Sequence, residues 1–377
     1  MLINLRGSEM KMRPWAVFLS VIGLWVPGGI ALAQNNSKPG VEASAITMAK
    51  PARPLPVIFD TDIGNDCDDT LALAMLHSLA SRGEVDLLAV TITKDNPKAA
   101  QYVSALNNFY GRPSIPIGVV KNGKTPAVGK FLPLVDKLEN GKPLYPVPPS
   151  WGQGAPLPDA VTLLRQTLAA AKNGSVSVVQ VGFSTNLARL LESPPDSISP
   201  LSGVNLVKAK VSELSIMAGA FQKIDGKIHK EYNVVEDIPS AQKLVSLWPT
   251  PIYWSGFEVG LAVTYPPESI LKDFAYAPGH LVAQSYIVYE PPPHARPCWD
   301  LTSALFVARR DRGYFGLSKP GQVVVKDDGE TVFTEGANGR DRYLTTTPEQ
   351  AARTREAFSH LCSEPPASFK ANSPTGK

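Results

Sequence analysis

Ten residues carry five aspartates: Asp60-Thr61-Asp62-Ile63-Gly64-Asn65-Asp66-Cys67-Asp68-Asp69. Carboxylates this close repel, and each raises its neighbours' pKa. A cation relieves that repulsion, and hard oxygen donors at this density suit Ca²⁺ or Mg²⁺. One or two of the aspartates would suffice to cap a helix and complement its dipole. Capping gives no role to Asp60 and Asp62, so metal binding is the stronger reading.

The acidic run needs a scaffold. Before it, Pro56-Val57-Ile58-Phe59 is short, apolar and β-prone; after it, Thr70–Leu76 reads as a buried helix. The same alternation continues along the chain. Strands are expected at Val57–Asp60, Val85–Thr93, Ile115–Val119, Val176–Val181, Glu213–Ala218 and Pro251–Trp254. Helices are expected at Thr70–Ser81, Pro97–Tyr110, Pro158–Lys172, Thr185–Glu192 and Pro239–Leu247. Apolar strands alternating with helices predict an α/β fold, a mostly parallel central sheet with helices on both faces. Four further helices are expected near Glu268–Tyr276, Gly279–Tyr289, Leu301–Arg310 and Glu349–Cys362, with a hairpin at 322–334. The Pro- and Gly-rich stretch Lys121–Ala155 reads as a lid or a surface excursion. Asn96, Thr185, Glu231, Asn233, Ser255 and Glu258 all follow expected strands, at the edge where open α/β sheets bind ligands.

Bulk properties narrow the options. A chain of 377 residues with 44% hydrophobic content supports a large core, and a net charge of +3 gives no case for a nucleic-acid partner. Lys11 and Arg13 precede the apolar stretch Ala16–Leu32, and Ala31-Leu32-Ala33 offers a small-residue cleavage site. The expected organisation is a signal peptide at 1–33, a disordered linker at 34–54, a single α/β domain at 55–363 and a disordered tail at 364–377. The expected location is secreted or periplasmic, with no stable membrane anchor after processing. Three cysteines, Cys67, Cys298 and Cys362, allow at most one internal disulfide and match no zinc spacing; a disulfide and buried free thiols both stay open.

Five landmarks in this order resemble the inosine/uridine-preferring nucleoside hydrolase family. The acidic loop is similar to its Asp-x-Asp-x-Gly-x-Asp-Asp signature. Leu88–Thr91 leading to Asn96 resembles its second motif, and Val181–Ala188 resembles the motif whose Thr carbonyl reaches the metal. Glu231-Tyr232-Asn233 resembles its Glu-Phe-Asn segment, and Trp299-Asp300 stands where the family has His-Asp. The resemblance runs from about Pro56 to about Ala308 and implies a Rossmann-like nucleoside hydrolase fold. It also implies Ca²⁺-dependent hydrolysis of the N-glycosidic bond of ribonucleosides or a related ribosylated compound. Carried over, Asp62, Asp69, the Thr185 carbonyl and Asp300 would ligate Ca²⁺. Asp62 would also be the general base, and Asp68, Asn96, Glu231 and Asn233 would hold ribose hydroxyls. A homo-oligomer is compatible with it.

Three departures qualify that reading. The acidic loop is two residues longer than the commoner signature, so Asp66 competes with Asp68 and Asp69 for the ligand positions. An upstream Asn of the Glu-Phe-Asn region has no clear match, with Asp225 at a similar distance. Trp299 replaces the histidine that protonates the leaving base, and an indole is no acid near neutral pH. His229 and His294 are the alternatives by position; Tyr232 and Trp254 read as core aromatics. The competing function is a catalytically weak protein that captures nucleosides or sugars outside the cell.

Overall fold

Period-two alternation in the first strand already divides the core. In β1 (Leu55–Thr61), Val57 and Phe59 face one apolar cluster and Ile58 the other, as expected of a strand covered on both sides. The computed structural model describes residues 53–153, 156–367 and 369. The expected signal peptide, nearly all of the expected linker and most of the expected tail lie outside the described residues. The other strands are β2 (Val85–Lys94), β3 (Ile117–Lys124), β4 (Leu138–Glu139), β5 (Lys142–Pro143), β6 (Val176–Gln180), β7 (Val211–Met217), β8 (Ile252–Ser255), β9 (Gly316–Leu317), β10 (Gly321–Val325), β11 (Thr331–Glu335) and β12 (Asp341–Thr345).

The main sheet runs β11-β10-β12-β8-β7-β6-β1-β2-β3, with β9 paired to β12. From β12 through β3 every neighbouring pair is parallel; β9, β10 and β11 are antiparallel additions. The chain leaves β1 toward β2 and β3, then returns to β6 on the other side. The carboxyl ends of β1 and β6 therefore border the crevice where the winding direction reverses, the ligand position of open α/β sheets. Helices Asp68–Ser81, Pro97–Phe109 and Trp299–Ala308 pack on one face, and Ala160–Ala170, Thr185–Glu192 and Ile238–Leu247 on the other.

All six parallel strands expected from sequence form, within a few residues of their expected bounds, and the late hairpin is β10–β11. Short helices at Gly203–Lys210, Tyr232–Glu236 and Phe257–Ala262, and the strand β12, were not expected. β12 reads Asp-Arg-Tyr-Leu-Thr, with too few apolar positions for a recognisable alternation. The stretch after β3 is anchored rather than free. Phe131 and Leu132 are fully buried, and Phe131 meets Tyr102 edge-on at 5.3 Å. This stretch presses on the acidic loop at Gly64, whose φ of 116° needs glycine; a Cβ there would lie 2.6 Å from Leu132 Cδ1.

Candidate active site

β1 delivers two carboxylates of opposite fate. Asp60 is sealed beneath the crevice, where its Oδ1 accepts from Thr91 Oγ1 and Asn186 Nδ2. Burial pushes its pKa up to about 7. Asp62, two residues on, opens into the crevice. The chain then turns through Gly64, and Asp68 and Asp69 form the first turn of the helix Asp68–Ser81, where the helix dipole favours anions.

Asp300 arrives from the far end of the chain in the first turn of the helix Trp299–Ala308. Asp68 Oδ2 accepts the backbone N–H groups of Trp299 at 3.0 Å and Asp300 at 3.2 Å, so one carboxylate serves the starts of two helices. Asp69 accepts from Thr61 Oγ1. Oxygens of Asp68, Asp69 and Asp300 lie within 4.8 Å of one another, all buried. Burial first, then repulsion from neighbouring carboxylates of the loop, holds all three pKa values well above the ordinary carboxylate range. A buried all-oxygen set of this kind fits a hard divalent cation, which would remove the repulsion. Asp62 shares the cavity but stands outside this close trio.

The cavity holds about 470 Å³. Six carboxylates and one cation line it, so it favours cationic over anionic groups. Glu231 caps the helix Tyr232–Glu236; its carboxylate accepts the N–H groups of Gly219, Asn233 and Val234. Burial pushes its pKa up to about 7. Asn233 Nδ2 donates to the carbonyls of Val181 at 2.8 Å and Met217 at 3.1 Å. The opposite wall is a stack. The Arg296 guanidinium lies over Tyr289 at 5.0 Å and over Trp299 at 5.1 Å. Trp299 stacks on Phe257 at 5.2 Å, and Phe257 on His229 at 3.8 Å.

Several expected assignments need correction. Asn96 does not reach the cavity: its Oδ1 caps the helix Pro97–Phe109 at Lys98 N, and its Nδ2 donates to the Pro126 carbonyl. Pro97 starts the helix at once, so the side chain folds back on its own backbone. Thr185 also lies off the cavity, with its hydroxyl bonded to Asp237. Val181, immediately beyond β6, lines the cavity instead. Asp66 is paired with Arg296, which takes both its oxygens. That leaves Asp68 and Asp69, not Asp66, beside Asp300. Trp299 does line the cavity, but its Nε1 is bonded to the Phe257 carbonyl at 2.9 Å. His229 stacks on Phe257 outside the lining, and His294 faces Glu290 at 3.2 Å. Tyr232 is half exposed at the cavity rather than core, whereas Trp254 is fully buried. Cys67, Cys298 and Cys362 are buried free thiols.

Two cations escaped the sequence reading. Arg296 has no motif around it. Lys94, fully buried at the end of β2, donates to Asn65 Oδ1 at 2.6 Å and to the Thr125 carbonyl at 2.9 Å. Its only signal was position, a charged residue following Thr93 at the expected ligand edge.

Comparison with known proteins bears on the family and the fold. Residues 57–355 match the profile of the family described as inosine-uridine preferring nucleoside hydrolase. The pyrimidine-specific ribonucleoside hydrolase RihA of Salmonella agona (strain SL483) is 29% identical over 212 residues, 54% of this chain and 61% of the relative. The match thus covers less than two thirds of that relative's length. Among solved structures, an inosine-uridine preferring nucleoside hydrolase from Bacillus anthracis superposes with a TM-score of 0.61 at 20% identity, covering 82% of this chain and 99% of the other. A plant nucleoside hydrolase, the PpNRh1 enzyme, gives 0.60 at 20% identity, covering 83% and 100%. At such identity these two likenesses speak to the fold.

Proposed function

The chain belongs to the inosine-uridine preferring nucleoside hydrolase family, and from that premise we propose that it hydrolyses the N-glycosidic bond of ribonucleosides or a related ribosylated compound. The observation that carries this is the convergence of Asp68, Asp69 and Asp300 in one cavity with Asp62, Glu231 and Asn233. In this reading Asp62, Asp69 and Asp300 hold calcium, as the family resemblance implies, with Asp68 beside Asp69 and Asp300 at the ribose edge of the same cavity. Bound calcium would supply fixed positive charge that orients a water and the ribose hydroxyls. Asp62 would accept the proton of a water attacking the anomeric carbon while the N-glycosidic bond breaks and the base departs, a role worth about 10²–10⁴-fold. Glu231 and Asn233 face the ribose, and the ring of carboxylates favours the oxocarbenium-like transition state.

Trp299 shapes the leaving-group side. Its one N–H is already bonded to Phe257, so it offers the departing base neither acid nor donor. The reaction therefore favours bases that leave readily. The same feature supports a second reading, an extracytoplasmic protein that captures nucleosides with little turnover.

Incubation with a panel of purine and pyrimidine nucleosides, with and without chelator, separates the two. Chelator-sensitive release of ribose is expected. Calorimetric binding without release supports the capture reading, and neither binding nor release by calcium-loaded protein sinks both. We also propose export, from the apolar stretch Ala16–Leu32 and its small-residue exit. Mapping the mature amino terminus checks it, and a retained residue 1–33 segment counts against it.

A further inference from the structure

We propose that Arg296 is the leaving-group residue of this site, a hydrogen-bond donor anchored by Asp66 that stabilises the departing base as an anion. The inference rests on the hydrolytic reading and adds a residue to it.

A flat heteroaromatic base finds its matching surface on the aromatic side of the cavity. Tyr289, Trp299 and Phe257 supply flat faces there, on which a base can stack. Among the described residues, Arg296 is the one cation in the lining, and its guanidinium lies over both Tyr289 and Trp299.

The residue is held at backbone and side chain alike. Arg296 N donates to Tyr286 Oη at 2.8 Å, and its carbonyl accepts the N–H of Tyr265 at 2.7 Å. Both tyrosines are fully buried. Arg296 Nε donates to Asp66 Oδ1 at 3.0 Å, and Nη2 donates to Asp66 Oδ2 and, at 3.3 Å, to Tyr289 Oη. Among the described residues Nη1 has no hydrogen-bond partner; Glu290 Oε2 stands 3.9 Å away. A guanidinium carries five donors, so a two-point pair with Asp66 leaves one edge free. The longer acidic loop thereby gains a use. Asp66 stands outside the close trio of carboxylates, and it fixes the one donor that faces the base. Fixed donors cost no reorganisation as charge develops.

The step balances without an acid. As the water oxygen bonds to the anomeric carbon, the C–N bond breaks and its electron pair goes to the base. The proton of the water passes to Asp62. The negative charge spreads over the base, and Nη1–H donates to it while keeping its proton, because a guanidinium does not deprotonate near neutral pH. The base takes a proton from solvent after release. Bases stable as anions therefore stay favoured.

The test compares two leaving groups on the calcium-loaded full chain. One is a nucleoside that the parent cleaves; the other is p-nitrophenyl β-D-ribofuranoside, whose nitrophenolate departs unaided. Arg296→Met is expected to lower kcat for the nucleoside at least about tenfold and to leave the nitrophenyl riboside within about threefold of the parent. Equal loss on both substrates by a folded variant overturns the proposal, as does unchanged turnover of the nucleoside. Should Arg296→Met fail to fold, Arg296→Lys decides: it keeps the charge and a partner for Asp66 but lacks the fork that serves both at once. The same split, in weaker form, is then expected, and its absence overturns the proposal. A parent that cleaves only the nitrophenyl riboside also overturns it, while the hydrolytic reading survives for other ribosides. A parent that cleaves neither sinks the hydrolytic reading and this inference with it.

Discussion

Asp62 and Asp69 stand seven positions apart in one loop, yet removing each should have a different consequence. Asp69→Ala and Asp300→Ala are expected to abolish measurable calcium binding in calorimetry, because each removes one third of the close carboxylate set. Asp62→Asn, which keeps an oxygen donor but removes the base, should lose about 10²–10⁴-fold in kcat for ribose release. Unchanged calcium binding in both alanine variants, or an unchanged kcat in Asp62→Asn, would defeat these assignments. At this scale the sequence showed the carboxylates plainly, since five in ten residues is an unusual density with a stated electrostatic cost. It did not show which polar residues turn inward. Asn96 and Thr185 follow strands as Glu231 does, but a proline beside one and a neighbouring Asp237 beside the other direct them elsewhere. Lys94 and Arg296 were hidden for another reason: a lone basic residue has no spacing to read, and only the fold supplies its partner.

Packing between elements sets the geometry of both cavity walls. Gly260 in the helix Phe257–Ala262 lies against the start of the helix Trp299–Ala308, and a Cβ there would sit 2.1 Å from Trp299 Cδ1. Gly260→Ala should therefore force the two helices apart and cost about 1–3 kcal/mol. A urea midpoint shifted by less than the error of the measurement would refute this. On the other wall, Leu132→Ala removes the side chain over Gly64 and should cost about 2–5 kcal/mol, read from the same midpoints with an unchanged slope. The parallel strands were legible because buried strands are apolar throughout and alternate with helices. The short helices Tyr232–Glu236 and Phe257–Ala262 were not, since five or six residues are too few to display a helical period. The first starts at Glu231, whose carboxylate caps it, and the second follows Gly256, which makes no side-chain cap.

Across the whole molecule, the buried acids make stability depend on pH in an unusual direction. Asp60, Asp62 and Glu231 have pKa values raised to about 7, about 6 and about 7, chiefly by burial. Their protonated forms suit the fold, so this contribution is complete below about pH 4 and is lost as pH rises through 6 to 7. The metal-free protein should thus show a falling Tm between pH 5 and pH 7.5, and calcium at about 100 times its Kd should restore about 2.7 kcal/mol. A calcium-independent Tm at pH 7.5 would contradict the cation site, and a Tm rising from pH 5 to pH 7.5 would contradict the sign of the pH effect. One contact has a consequence in time. Asp68 receives the N–H of Asp300 across 232 positions of chain, so no nascent polypeptide on the ribosome can complete the cluster until Asp300 has emerged. A fragment ending before Trp299 is therefore expected to fail at retaining calcium, however well its first strands associate.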